Sequence, residues 1–136
     1  MKKQLLAVAG AAFLAAVLLS CYSGPVKLAD DVTAAELVQQ GQAAYEWNRY
    51  AQAVQYYEAV LERFPGDIDR ACESEYEIAR IHYKQKKYTQ ARVEMEALRA
   101  RYDTGEGEIL PTKFKILSEI VLGQIADKQK QIIAEE

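Results

Sequence analysis

One offset constrains this chain more than any other feature. Gly41 and Ala79, Tyr45 and Tyr83, Tyr50 and Tyr88, Ala53 and Ala91, Tyr57 and Met95, Val60 and Leu98, and Pro65 and Asp103 are each 38 residues apart. Both stretches carry Tyr-x-x-Ala, as Tyr50-Ala51-Gln52-Ala53 and Tyr88-Thr89-Gln90-Ala91. Self-similarity of this kind marks stacked structural units that bury their apolar faces on one another. The residue types explain the spacing. A small residue in a first helix (Gly41, Ala79) lets a second helix come close, and a small residue in that second helix (Ala53, Ala91) answers it. Tyr50 and Tyr88 start the second helices and fill the corner beside the turn. Tyr57 and Met95, four residues past each alanine, fall on the same helical face. Pro65 ends the first unit, because its missing amide cannot continue a helix.

No period-2 alternation appears, and alanine is frequent, so the fold class is all-α. Thr33-Ala34-Ala35-Glu36 reads as a capping box at the start of the first helix. The pattern predicts helices over about 33–47, 50–64, 68–86 and 88–102, then a loop with Gly105 and Gly107, and a last helix from near Pro111 to about 134. In that last helix Leu110, Phe114, Leu117, Val121 and Ile125 form one apolar stripe, which Ile116, Ile120 and Ile132 widen. Two readings stand: a buried cap that closes the stack, or a partner surface with Phe114, Ile116, Ile120 and Val121 on it.

Composition removes most chemistry. The 136 residues suffice for one domain, and 17 basic residues against 20 acidic ones argue against nucleic-acid binding. Two cysteines build neither a disulfide scaffold nor a four-thiolate zinc site. His82 is the only histidine. It stands where a packed aromatic is expected and is read as structural. Cys72 is read as a helix-packing residue. No nucleophile elbow, phosphate loop or HExxH pattern occurs, so no catalytic residue, metal site or cofactor is expected.

Residues 1–20 read as an address. Lys2 and Lys3 precede an uncharged run, Leu5 to Leu19, which is too short for a membrane span of about 20 residues. The run ends in Leu18-Leu19-Ser20-Cys21, which resembles the lipobox of bacterial lipoproteins. The resemblance implies cleavage before Cys21 and a covalent lipid on its thiol. Tyr22 in place of an aspartate is compatible with transfer to the outer membrane. The expected organisation is a signal peptide over 1–20, a linker over 21–32 that would lift the domain off the bilayer, two repeats over 33–103, and a loop with a capping helix over 104–136.

The repeat itself resembles the tetratricopeptide repeat, a helix–turn–helix unit of about 34 residues. The resemblance covers about 34–103 and implies a right-handed solenoid of antiparallel helix hairpins. Asn48 and Lys86 replace the turn glycine; Asn48 tolerates a left-handed conformation and Lys86 tolerates it less well. In this fold the first helix of each hairpin lines a concave groove. That places Val38, Gln42, Tyr45 and Glu46 from one unit, and Glu73, Tyr76, Arg80, Tyr83 and Lys84 from the next, on a candidate partner surface. The tyrosines would supply contact area, and Arg80 and Lys84 would hold a carboxylate. The run Lys84-Lys86-Lys87 reads as a solvated turn, or as a contact for lipid headgroups or an acidic partner.

A lipid-anchored protein with repeats of this extended type is similar to the lipoprotein D component of the outer-membrane β-barrel assembly machine. That resemblance implies a non-enzymatic adaptor on the periplasmic face of the outer membrane. Its partners would be the central barrel subunit and unfolded barrel substrates. The groove would take substrate and the last helix the partner subunit. A structural scaffold for cell division, peptidoglycan machinery or pilus and secretin assembly is the alternative.

Overall fold

A computed structural model describes residues 24–135. The expected signal peptide over 1–20 and the expected lipidation site Cys21 lie outside the described residues. Five α-helices occur among them: α1 (Ala34–Glu46), α2 (Tyr50–Arg63), α3 (Ile68–Lys84), α4 (Tyr88–Arg101) and α5 (Thr112–Glu135), with a 3-10 turn at Gly105–Glu108. No strand is present among the described residues. The chain is an all-α stack of helical hairpins.

Local chemistry sets the ends. Thr33 and Glu36 form the reciprocal capping box: the Glu36 amide donates to the Thr33 hydroxyl at 3.2 Å, and the Thr33 amide donates to the Glu36 carboxylate at 2.8 Å. These bonds hold the exposed Glu36 carboxyl below its ordinary range. At α3, the Asp67 carboxylate accepts from the Arg70 amide at 3.1 Å. The two hairpin turns are built alike. Asn48 and Lys86 both sit in the left-handed region, at φ 56° and 62°. Arg49 N–H reaches the Ala44 carbonyl at 2.8 Å, and Lys87 N–H reaches His82 at 2.9 Å. Lys86 therefore adopts the glycine-like conformation despite its side chain, a strain of about 1–2 kcal/mol.

Packing follows the repeat. Gly41 and Ala53 are buried, and so is Tyr57, whose ring lies against Gly41. Ala79, Ala91 and Met95 do the same in the second hairpin, each wholly excluded from solvent. The corner tyrosines pair in each unit, Tyr45 with Tyr50 at 5.5 Å and Tyr83 with Tyr88 at 5.8 Å between ring centres. Helix α3 is shared between two clusters. Ile81 belongs to the first hairpin's core, and Cys72, Tyr76 and Ala79 belong to the second. The Cys72 thiol is buried 3.3 Å from the Tyr102 hydroxyl, which itself donates to the Pro111 carbonyl at 2.8 Å.

Residues 26–32, just ahead of α1, do not stand clear of the domain. The Val26 amide donates to the Gln55 side chain at 2.8 Å, Arg63 donates to the Ala29 carbonyl at 3.1 Å, and Leu28 and Val32 pack on the first core. The expected spacer is thus docked along α2 over these residues.

Helix α5 packs more on α4 than on α3, just as α3 packs more on α2 than on α1. It takes the place of the first helix of a further hairpin. Phe114, Ser118, Val121 and Ile125 are buried, whereas Ile116 and Ile120 are about half exposed. Phe114 is therefore corrected from partner surface to core; Val121, 5% exposed, closes the same cluster with Met95 and Ala91 and shows only a small part of its surface. Ile116 and Ile120 remain available on the outside.

Candidate functional site

The hollow between the first helices of the hairpins holds most of the groove residues. Tyr45, Tyr76, Arg80, Tyr83 and Lys84 line a space of about 280 Å³. Its far wall comes from α5, through Leu117, Ile120, Val121 and Gln124. Sequence reasoning split these residues between two surfaces, and the structure joins them in one. The offset itself carries the signal. Val38, Tyr76 and Phe114 are spaced by 38 residues and all buried, and Tyr45, Tyr83 and Val121 share the same spacing. The repeat extends into α5, although the tyrosine and alanine signature does not.

Val38 does not reach the groove. It is 3% exposed in the first core, where α1 is enclosed by α2 and by Leu28 and Val32 of the preceding segment. Tyr76 borders the hollow but is 7% exposed, its ring centre 5.7 Å from that of Phe114. Burial pushes its phenol above the ordinary range. Gln42 and Glu46 lie exposed on α1 beside the hollow's rim, with Gln42 3.4 Å from the Glu73 carboxylate. Glu73 is in turn paired with Arg70 at 2.8 Å.

Arg80 is the centre of the floor. Its guanidinium lies 4.2 Å from the centre of the Tyr45 ring and donates to the Tyr45 hydroxyl at 3.1 Å. Its other side is held by Glu77, at 2.8 and 2.6 Å. Burial works against the Arg80 charge, but the Glu77 bond and charge outweigh it and keep the group above its ordinary value. Arg80 is thereby committed to structure. Lys84, exposed at the mouth, forms no ion pair among the described residues and is the cation left for a ligand. The hollow offers an aromatic floor, an aliphatic wall and one cationic rim. That chemistry suits an apolar side chain flanked by a negative charge, and it contains no nucleophile with a base beside it.

His82 lies elsewhere, 8% exposed between α3 and α4. Its Nδ1 is 2.7 Å from the Glu94 carboxylate and its Nε2 is 3.5 Å from the Gln90 amide. The contacts tie the two helices of one hairpin. Among the described residues no group of His, Cys, Asp or Glu side chains is arranged to hold a metal ion.

The sequence profile of the YfiO family, described as outer membrane lipoprotein, matches residues 30–108, more than half of the chain. The chain belongs to this family. The match covers both hairpins and stops before α5. An uncharacterized protein of Treponema pallidum (strain Nichols) is 28% identical over 110 residues, covering 79% of this chain and 44% of that relative. The chain thus spans less than half the length of that relative. No solved structure matches. YfiO membership agrees with the lipoprotein reading of the N-terminus, and no helix of the described residues is long and apolar enough to cross a membrane.

Proposed function

We propose that the chain is a non-enzymatic adaptor lipoprotein, anchored through Cys21 to the outer membrane and facing the periplasm. Its groove binds protein segments, and its role lies in the assembly of outer-membrane β-barrel proteins, with the central barrel subunit and unfolded barrel chains as partners. The observation that carries this reading is the family match over both hairpins. The hollow between α1, α3 and α5 supports it, because it offers contact surface and no reactive constellation.

Crosslinking in native membranes, followed by identification of the captured chains, tests the reading. A β-barrel subunit among the captured proteins is the expected result. Capture of peptidoglycan enzymes or division proteins, with no barrel subunit, would replace it with a scaffold function. The anchor is tested separately: Cys21→Ala is expected to lose the covalent lipid and leave the membrane fraction.

A further inference from the structure

We infer that the hairpin-turn edge of the molecule lies against an anionic lipid surface, with Trp47 entering the headgroup layer. The proposal rests on the lipid anchor at Cys21 and goes beyond it by fixing which face meets the bilayer.

The route of the N-terminal segment gives the first argument. Ala29 is held by Arg63 near the end of α2, and Val26 is held by Gln55 nearer its start. Traced backwards, the segment runs towards the α1–α2 turn. Gly24 is two residues before Val26 and so within about 7 Å of it, beside the N-terminal half of α2. Cys21 lies three residues earlier in the sequence, so it is at most about 11 Å from Gly24. A lipid on Cys21 therefore holds this edge close to the membrane.

Both hairpin turns and the end of α5 occupy that edge. Tyr45, at the end of α1, borders the same hollow as Tyr83 and Lys84, at the end of α3. A second open cleft, of about 670 Å³, joins Lys86 and Tyr88 to Lys130, Ile132 and Ile133 of α5. The two turns and the last turns of α5 are thus neighbours.

The side chains presented there suit a membrane interface. Trp47 is 75% exposed and Ile133 72% exposed. Around them stand Arg49, Lys84, Lys86, Lys87 and Lys130, none of them in an ion pair among the described residues. Among the described residues the acids at this edge are fewer, with Glu46 beside Trp47 and Asp127 and Glu135 on α5. A basic edge on a chain of net charge −3 is a segregation of charge. Exposed aromatic and aliphatic groups among lysines match the polar–apolar boundary of a bilayer with anionic lipids.

Trp47 is the only tryptophan, so its fluorescence reports on this edge alone. The test uses the full-length precursor's processed, lipid-anchored product in phosphatidylglycerol–phosphatidylethanolamine vesicles, with phosphatidylcholine vesicles for comparison. In the anionic vesicles Trp47 emission should shift to the blue and be quenched at least about twofold by lipid brominated near the headgroup end of its acyl chains. Quenching should be weaker in phosphatidylcholine. Lys86→Glu with Lys87→Glu, at unchanged helicity, should reduce it severalfold. An unquenched Trp47 in anionic vesicles overturns the proposal, as does quenching that ignores the charge reversal. Protection of Trp47 only when other membrane proteins are present would assign the edge to an acidic protein and also overturn it. Mass measurement of Cys21 judges the anchor independently. A chain without lipid refutes the anchor, while its Trp47 signal with the same vesicles still decides whether the edge binds them.

Discussion

Arg80 of α3 lies over the ring of Tyr45 of α1 and also donates to its hydroxyl, so one side chain joins the two repeats by two different attractions. Glu77 fixes the guanidinium from behind. Replacing Arg80 by methionine keeps the length of the side chain and removes both attractions. It is expected to cost about 1–2 kcal/mol, measured as a shift in the urea midpoint. A stability equal to that of the parent would mean the pair contributes nothing.

The approach of Gly41 to Tyr57 makes a second prediction. A Cβ at position 41 would come within 2.8 Å of the Tyr57 ring. Tyr57 is wholly buried and cannot swing aside. Gly41→Ala should therefore destabilise the fold by about 1–3 kcal/mol, despite alanine's better helix propensity. Tyr57→Phe should do the opposite. The Tyr57 hydroxyl is buried without a hydrogen-bond partner, and deleting it should leave stability unchanged or raise it by about 1 kcal/mol. Loss of stability in Tyr57→Phe would show that the hydroxyl is satisfied in solution.

Alkaline pH should erode stability. Burial raises the Cys72 thiol, and it also raises the phenols of Tyr57, Tyr76 and Tyr102. The native state thus retains protons that the unfolded chain releases. The stability is full below the ordinary thiol value of about 8.5, declines above it, and falls more steeply near the ordinary phenol value of about 10. Urea midpoints between pH 7 and pH 11 check this. A flat profile would contradict it. At neutral pH, thiol reagents should label Cys72 much more slowly in the folded chain than after unfolding.

Helix α5 separates stability from recognition by position. Ile120 is half exposed on the wall of the hollow, whereas Phe114 is 3% exposed in the core. Ile120→Asp should leave stability within about 0.5 kcal/mol but weaken capture of partner chains. Phe114→Ala should cost about 3–5 kcal/mol. Unchanged crosslinking in Ile120→Asp would remove this wall from the binding surface.

The hairpins were legible because their determinants are local. A small residue, an aromatic at the corner and the Tyr-x-x-Ala core recur at one spacing, and both ends of each of the five helices lie within two residues of their expected positions. The left-handed turn at Asn48 was legible for the same reason. At Lys86 local propensity opposes the observed conformation, and the hydrogen bonds of the second hairpin override it. The groove was only partly legible. Position within a hairpin put Tyr45, Arg80 and Tyr83 at the hollow, but Val38 lies in the first core, on which Leu28 and Val32 of the preceding segment also pack. The role of α5 was hidden because its tyrosine and alanine markers are replaced, and only the 38-residue spacing remains.

The sharing of α3 between two cores bears on how the molecule comes apart. Neither hairpin owns a complete set of contacts, so disorder in one should spread to its neighbour, as in a short chain of coupled units. Helix α5 seals the second core with Phe114, Val121 and Ile125. Detaching it would uncover Met95 and Leu98 before the first hairpin loses anything. Unravelling should therefore start at the C-terminal end and travel towards the first hairpin.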